Sequence, residues 1–326
     1  RSDSSAASDV YKRQGEMDYV NGDRYIGNWV QGFRDGRGDI VYKNGDQYKG
    51  EWDNNLKQGQ GIYYYANGEI YDGLWYNDVK MGRGKYNYKN GDQYEGQWSD
   101  GIRQGYGIFK DNLGNIYEGD WVNDMKMGSG TFKDVNGDTY VGDWVNDFRH
   151  GRGKITYSNG DNYEGDWVDD VKEGQGVEIF IADGVTYSGQ FKSGLFHGRG
   201  EYKSKIGDFY NGNWSSGKQD GQGIYKSSIG DKYEGSWKNG MKHGKGKYEF
   251  VDGSIYNGEW ENDNINGDGK YTFSDGSICK GSFLNGKANG QGTYDYVNGD
   301  QYEGLFSVGK RDGMGTCTYS NGDVYT

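Results

Sequence analysis

Large side chains and glycines alternate along this chain in short runs of period two. Tyr25-x-Gly27-x-Trp29 is followed by Gly36-x-Gly38-x-Ile40, and the two runs return every 23 residues with one 24-residue step. Alternation of period two puts every second residue on one face of an extended strand. Each run therefore predicts a strand, and each pair of runs a β-hairpin. Tyrosines mark the repeat at Tyr25, Tyr48, Tyr71, Tyr94, Tyr117, Tyr140 and Tyr163, then from Tyr187 through Tyr210, Tyr233, Tyr256, Cys279, Tyr302 and Tyr325. All 10 tryptophans stand four residues after one of these positions, and Phe191, Phe283 and Phe306 fill the other places. The fold class expected is all-β: an elongated single-layer antiparallel sheet of about 13 tandem 23-residue hairpin repeats.

The turns before each tyrosine all contain a glycine, from Gly22 to Gly322. The residue before it is usually Asn or Asp, but it is Leu113, Ile206 or Ile229 in three turns. A two-residue type I′ turn needs positive φ there, which a β-branched residue resists. A three-residue loop, a type I turn closed by a left-handed glycine, needs only the glycine. Closing Lys43-Asn44-Gly45 in that way pairs Tyr42 with Asp46, Ile40 with Tyr48, Gly38 with Gly50 and Gly36 with Trp52. Six residues after Trp29 are read as a loop, which pairs Trp29 with Gly36, Gly27 with Gly38 and Tyr25 with Ile40. One face then shows a Trp/Gly row, an all-glycine row and a ring row, and the glycine row is expected to be a shallow groove walled by aromatics. The 24-residue unit carries its extra residue between Val177 and Asp183, where a β-bulge is expected. The opposite face is expected to be solvated, with acids such as Glu51 and Glu95 set against lysines such as Lys85.

Composition sharpens this picture. Hydrophobic content is 32%, with 61 glycines, no proline and a net charge of -12, values that would favour disorder were the chain not 16% aromatic. A chain this poor in aliphatics must bury rings against backbone. A lone hairpin buries too little to offset the entropy of ordering it, so stability is expected to grow with repeat number.

Ser4 to Gln14, SSAASDVYKRQ, resembles the in-frame translation of a sequencing adapter, and the repeat phase supports exclusion, because position 13 should be a glycine and is Arg13. Residues 1–14 are read as an adapter-derived, disordered segment and 15–326 as the repeat array, cut at both ends.

The pattern Gly91-Asp92-Gln93-Tyr94-Glu95-Gly96-Gln97-Trp98, repeated around Tyr163 and Tyr233, resembles the MORN (membrane occupation and recognition nexus) repeat family. The resemblance implies a scaffold for protein partners or self-association. It also implies a link to membranes and phosphoinositides, and in some members a fusion to an enzyme domain such as a lipid kinase.

Five residues after the tryptophan stand Arg34, Lys57, Lys80, Arg103, Lys126, Arg149 and Lys172. They read either as an anion-binding ladder for acidic phospholipids or an acidic partner, or as solubilising charges paired with the nearby Asp of the same loop, Asp78, Asp124, Asp147 or Asp170. The groove walls Tyr48, Trp52, Tyr71, Trp75, Tyr94, Trp98, Tyr117 and Trp121 are a second candidate surface. The apolar column Phe33, Leu56, Val79, Ile102, Met125, Phe148, Val171 and Leu195 is expected to pack each loop onto its neighbour. His150, His197 and His243 stand too far apart to share a metal, and Cys279 and Cys317 too far apart for a disulfide. Arg37-Gly38-Asp39, Asn213-Trp214-Ser215 and the many G-x-G pairs are by-products of the repeat.

No catalytic site and no cofactor are expected. The reading is a non-catalytic scaffold for protein partners or a homo-oligomer, cytoplasmic and peripheral to a membrane or the cytoskeleton, with no nucleic-acid partner. The alternatives are a phosphoinositide-binding module and the targeting region of a larger enzyme.

Overall fold

The computed structural model describes residues 13–326, in which 28 strands and no helix are found. The alternation is thus realised as strand throughout. The chain divides into two compact units, one running to Ser158 together with Val168–Asp170, the other made of Asn159–Trp167 and Val171–Thr326. Within each unit the strands form antiparallel pairs between chain neighbours.

In the first unit β1 (Arg13–Asp18), β2 (Arg24–Val30), β3 (Phe33–Val41), β4 (Gln47–Asp53) and β5 (Leu56–Tyr64) set the pattern that later hairpins repeat. The β3–β4 turn is the three-residue loop expected. Tyr42 N donates to Asp46 O and Gly45 N to Tyr42 O, both at 2.9 Å, and Gly45 has φ +92°. The register follows: Ile40 faces Tyr48, Gly38 faces Gly50 and Gly36 faces Trp52.

The β2–β3 connection corrects the expectation. It is a two-residue turn, Gln31-Gly32, with both residues at positive φ, the type I′ geometry that matches strand twist. Gly27 faces Gly38 and Tyr25 faces Ile40 as expected, but Trp29 faces Arg34, not Gly36. The misfit is absorbed by a bulge, in which Asn28 alone stands opposite Asp35, Gly36 and Arg37. Gly36, at φ +91°, makes that bend without strain. Asn54-Asn55, Asn77-Asp78 and Asn146-Asp147 form the same turn in later hairpins.

A second correction falls in the other unit. Strand Val171–Phe180 pairs with Val185–Lys192 from Gly174↔Phe191 to Phe180↔Val185 without a register shift. The extra residue sits in the turn, which becomes Ile181-Ala182-Asp183-Gly184, and the β-bulge expected there is absent. A one-residue slip inside the strand would turn every following ring to the other face, whereas a longer turn leaves the pairing intact.

Residues 1–12, for which adapter-derived disorder is expected, lie outside the described residues. Arg13 and Gln14 do not share it: they open β1 opposite Trp29 and Asn28. Strand pairing uses only backbone groups, so the residue types do not prevent it. Arg13 holds the place that glycine fills opposite Trp52.

The core is one-sided. Tyr25, Tyr48, Tyr71 and Tyr94 are 0% exposed, and so are Tyr163, Tyr187, Tyr233 and Tyr256 in the second unit. Tyr48 meets Trp52 of its own hairpin edge-on at 5.1 Å and Trp75 of the next at 5.5 Å, and Tyr71 likewise meets Trp75 and Trp98, so these rings bridge two repeats. On the opposite face charges alternate as expected: Lys85 stands between Asp72 and Glu95, and Arg83 reaches Glu95 at 3.1 Å.

Candidate functional site

The glycine row positions the tyrosines. With no side chain on Gly50 or Gly61, the Tyr48 ring lies across both, and its hydroxyl donates to Glu51 O at 2.9 Å. Trp52 Nε1 donates to Gly38 O at 2.9 Å, and Trp75 Nε1 to Gly61 O at 3.1 Å. Each buried polar tip is thereby satisfied by the backbone it covers. Burial pushes the Tyr48, Tyr71 and Tyr94 phenols well above their ordinary range. The expected groove is therefore filled. Tyr48, Trp52, Tyr71, Trp75, Tyr94, Trp98, Tyr117 and Trp121 are buried and make up the core, because the rings themselves occupy the space the glycines leave.

The basic column also lies elsewhere than on an open edge. The bulge carries Arg34 back over the rings, where its guanidinium stands 4.2 Å from the Trp52 ring. Lys57 Nζ lies 4.8 Å from Trp75 and 5.0 Å from Tyr63, and Arg103 lies 4.1 Å from Trp121. The carboxylate partner comes from the next hairpin's type I′ turn, not from the same loop. Lys57 reaches Asp78 at 3.7 Å, Arg103 reaches Asp124 at 3.0 Å and Arg149 reaches Asp170 at 2.7 Å. The same aspartates accept the backbone N–H of the residue they pair, as Asp78 Oδ1 does from Lys57 at 2.8 Å. Where the turn is Asp100-Gly101, Lys80 rests on Trp98 and Tyr86, at 4.4 and 4.7 Å. Lys126 lies 5.1 Å from Trp144. Burial lowers the ammonium pKa of Lys57, Lys80 and Lys126, with nearby aspartates opposing it. In the second unit Lys172 pairs with Glu178, a carboxylate only 7% exposed that takes a ring-row position opposite Tyr187.

Most of the apolar column is left half-open to solvent. Phe33, Leu56, Val79 and Phe148 are 45%, 38%, 37% and 49% exposed, and Leu195 in the second unit 50%. Each flanks a tight turn, as Val145 faces Phe148 across Asn146-Asp147 and Tyr76 faces Val79 across Asn77-Asp78, while Ile102 and Met125 of the same column are half-buried. These turns leave no loop to fold back.

Sequence reasoning missed the clip on the other edge. Asp46 Oδ1 accepts the N–H of Ala66 in the next turn at 2.7 Å, and Oδ2 accepts the Tyr63 hydroxyl at 2.8 Å. Asp92 with Asn112, Asp208 with Ser228 and Asp231 with Val251 repeat the first bond. The Asp that follows most of the turn glycines was the signal.

Among the described residues no group of three or more His, Cys, Asp or Glu could hold a metal ion. His150 Nδ1 lies 3.3 Å from Asp169 Oδ1. Cys279 and Cys317 are both free thiols, and burial pushes Cys279 up to about 11.

The MORN repeat pattern matches thirteen successive segments, from 25–47 to 302–324, and the chain belongs to the MORN repeat family. No curated protein matches it. Among solved structures, the TCP domain of Drosophila melanogaster SAS-4 in complex with a proline-rich motif of Ana2 is 17% identical, with a TM-score of 0.32, over 59% of this chain and 97% of that one. The TCP10 domain of Danio rerio CPAP is 12% identical, with a TM-score of 0.19, over 84% of this chain and 100% of that one. A streptogramin B lyase is 12% identical, with a TM-score of 0.14, over 83% and 94%.

Proposed function

We propose that this chain is a non-catalytic scaffold that holds protein partners along its type I′-turn edge. MORN repeats are a non-catalytic repeat type. The observation that carries the reading is the recurrence of half-exposed apolar side chains on that edge, Phe33, Leu56, Val79 and Phe148 in one unit and Leu195 in the other. Such residues at a fixed spacing offer a partner regularly placed anchors in a rim of polar turns.

The phosphoinositide reading draws on the basic column. It has less support, because those cations lie over rings and Lys57, Arg103 and Arg149 are already paired with aspartates, and a paired, half-buried charge has little left for a headgroup.

The test is cross-linking in cell extract with the chain and with a Phe33→Ser, Leu56→Ser, Phe148→Ser variant, beside flotation with phosphoinositide vesicles. The scaffold reading expects specific cross-links lost in the variant while its thermal unfolding changes little. Cross-links that survive the substitutions, or vesicle binding that Lys57→Glu and Arg103→Glu abolish, would overturn it.

A further inference from the structure

A second layer of rings runs along the turn side of the tyrosine row. Tyr63 and Tyr65 lie 4.5 Å apart, Tyr65 and Tyr86 5.8 Å, and Tyr86 and Tyr88 4.5 Å. Two inner rings also donate their hydroxyls to an acid on the preceding turn, Tyr63 to Asp46 and Tyr86 to Glu69, both at 2.8 Å. Further along the first unit this layer is broken. The outer position becomes Asp111 and then Asp134, and the inner position Phe109, Phe132 and then Ile155. A cavity of about 330 Å³ stands there, lined by Asp134 and Ile155 and by Phe132, Asp138, Lys126 and Arg149.

Two features define what could fill it. The missing parts are planar rings, so the gap suits a flat group beside Phe132. The missing hydroxyl leaves Asp138 without the donor that Asp46 has: its Oδ1 accepts the Ser158 N–H at 2.8 Å, and its Oδ2 accepts nothing from the described residues. The charge balance points the same way. Arg149 is paired with Asp170 at 2.7 Å and Lys126 has Asp147 beside it, which leaves Asp134 and Asp138 as a negative surplus.

We propose that this cavity receives the guanidinium of an arginine side chain from the protein partner, a reading that rests on the scaffold function above and names the partner's chemistry. A guanidinium is planar, stacks on aromatic faces and presents a fork of donors to a carboxylate. An ammonium has no plane to fill the slot, and an anion would face the surplus of aspartates.

The experiment titrates acetyl-arginine amide into the full chain, followed by ligand-observed NMR, with the citrulline and lysine amides and inorganic phosphate as comparisons. Arginine amide should bind, and citrulline amide should bind roughly tenfold more weakly or worse, since the neutral isostere loses a charge-assisted pair. Asp138→Asn should weaken arginine binding by about tenfold as well. Ile155→Tyr restores the inner ring that Tyr63 and Tyr86 supply elsewhere, so it should fold and abolish binding. Equal affinity for citrulline, binding unchanged by Ile155→Tyr, or phosphate binding in place of arginine would each overturn the proposal. No arginine binding with edge cross-links intact would refute the cavity and leave the scaffold standing. Arginine binding with no edge cross-links would count against the scaffold alone.

Discussion

Tyr71 lies across Gly84 of the next strand so closely that a Cβ built on the glycine would stand 2.5 Å from the tyrosine hydroxyl oxygen. The hydroxyl cannot retreat, because it donates to Leu74 O at 2.9 Å and the ring is 0% exposed. Contact of this kind recurs down the row and locks the two strands of a hairpin together.

Gly84→Ala should therefore destabilise by about 2–3 kcal/mol through overpacking alone, since Gly84 has no positive φ. Gly68→Ala is the comparison. It has open space around it but φ +95°, and should cost about 1 kcal/mol from backbone strain. Hydrogen exchange at the Tyr71 and Gly84 amides separates the two, with local protection lost only in the first. Equal costs would mean that the ring row yields.

Lys57→Met keeps the aliphatic stem over Trp75 and removes the ammonium. The chain loses a cation–π contact at 4.8 Å and the ammonium beside Asp78, which keeps the backbone N–H of residue 57 at 2.8 Å. About 1 kcal/mol of stability should go, measured by denaturant unfolding. A structural clasp of this sort predicts a loss that moderate salt barely changes, whereas an exposed ladder charge would show no loss at all.

Val308 occupies the first position of a type I′ turn at φ 50°, where other hairpins place Asn77, Asn146 or Asn262. A β-branched residue is strained in that region. Val308→Asn should raise stability by about 1 kcal/mol, read as an upward shift of the unfolding midpoint. A neutral or destabilising outcome would mean that the exposed Val308 side chain has a contact worth more than the strain.

Alkali should unfold the chain cooperatively. Burial raises Tyr25, Tyr187 and Tyr256 from 10.0 to about 12 and Cys279 from 9.0 to about 11. These groups are more acidic when unfolded, so deprotonation favours the unfolded chain. Their contribution is complete below about pH 9, falls first through Cys279, and is lost as pH climbs from about 10 to 12 through the tyrosines. Tyrosinate absorbance and circular dichroism should change together; smooth ionisation with the strands intact would contradict the buried row.

Residues 15–326 were legible in outline from the sequence. The period, the all-β class, the three-residue turns and the pairs Ile40–Tyr48 and Gly38–Gly50 follow from local rules, because glycine and alternation act on the residue that carries them. The type I′ turns were present as Asn-Asn and Asn-Asp pairs. Their register depends on a bulge at Gly36, and that bulge exists only because two strands must keep both Gly27–Gly38 and Trp29–Arg34 in contact.

Side-chain destinations were beyond the sequence for the same reason. Arg34 and Lys57 count as a column on paper in either register, but only the bulge carries them over Trp52 and Trp75 and exposes Phe33 and Leu56 instead. The cavity beside Ile155 is further removed still. It is the absence of rings from a stack assembled by several hairpins, and a gap between strands has no residue of its own to announce it.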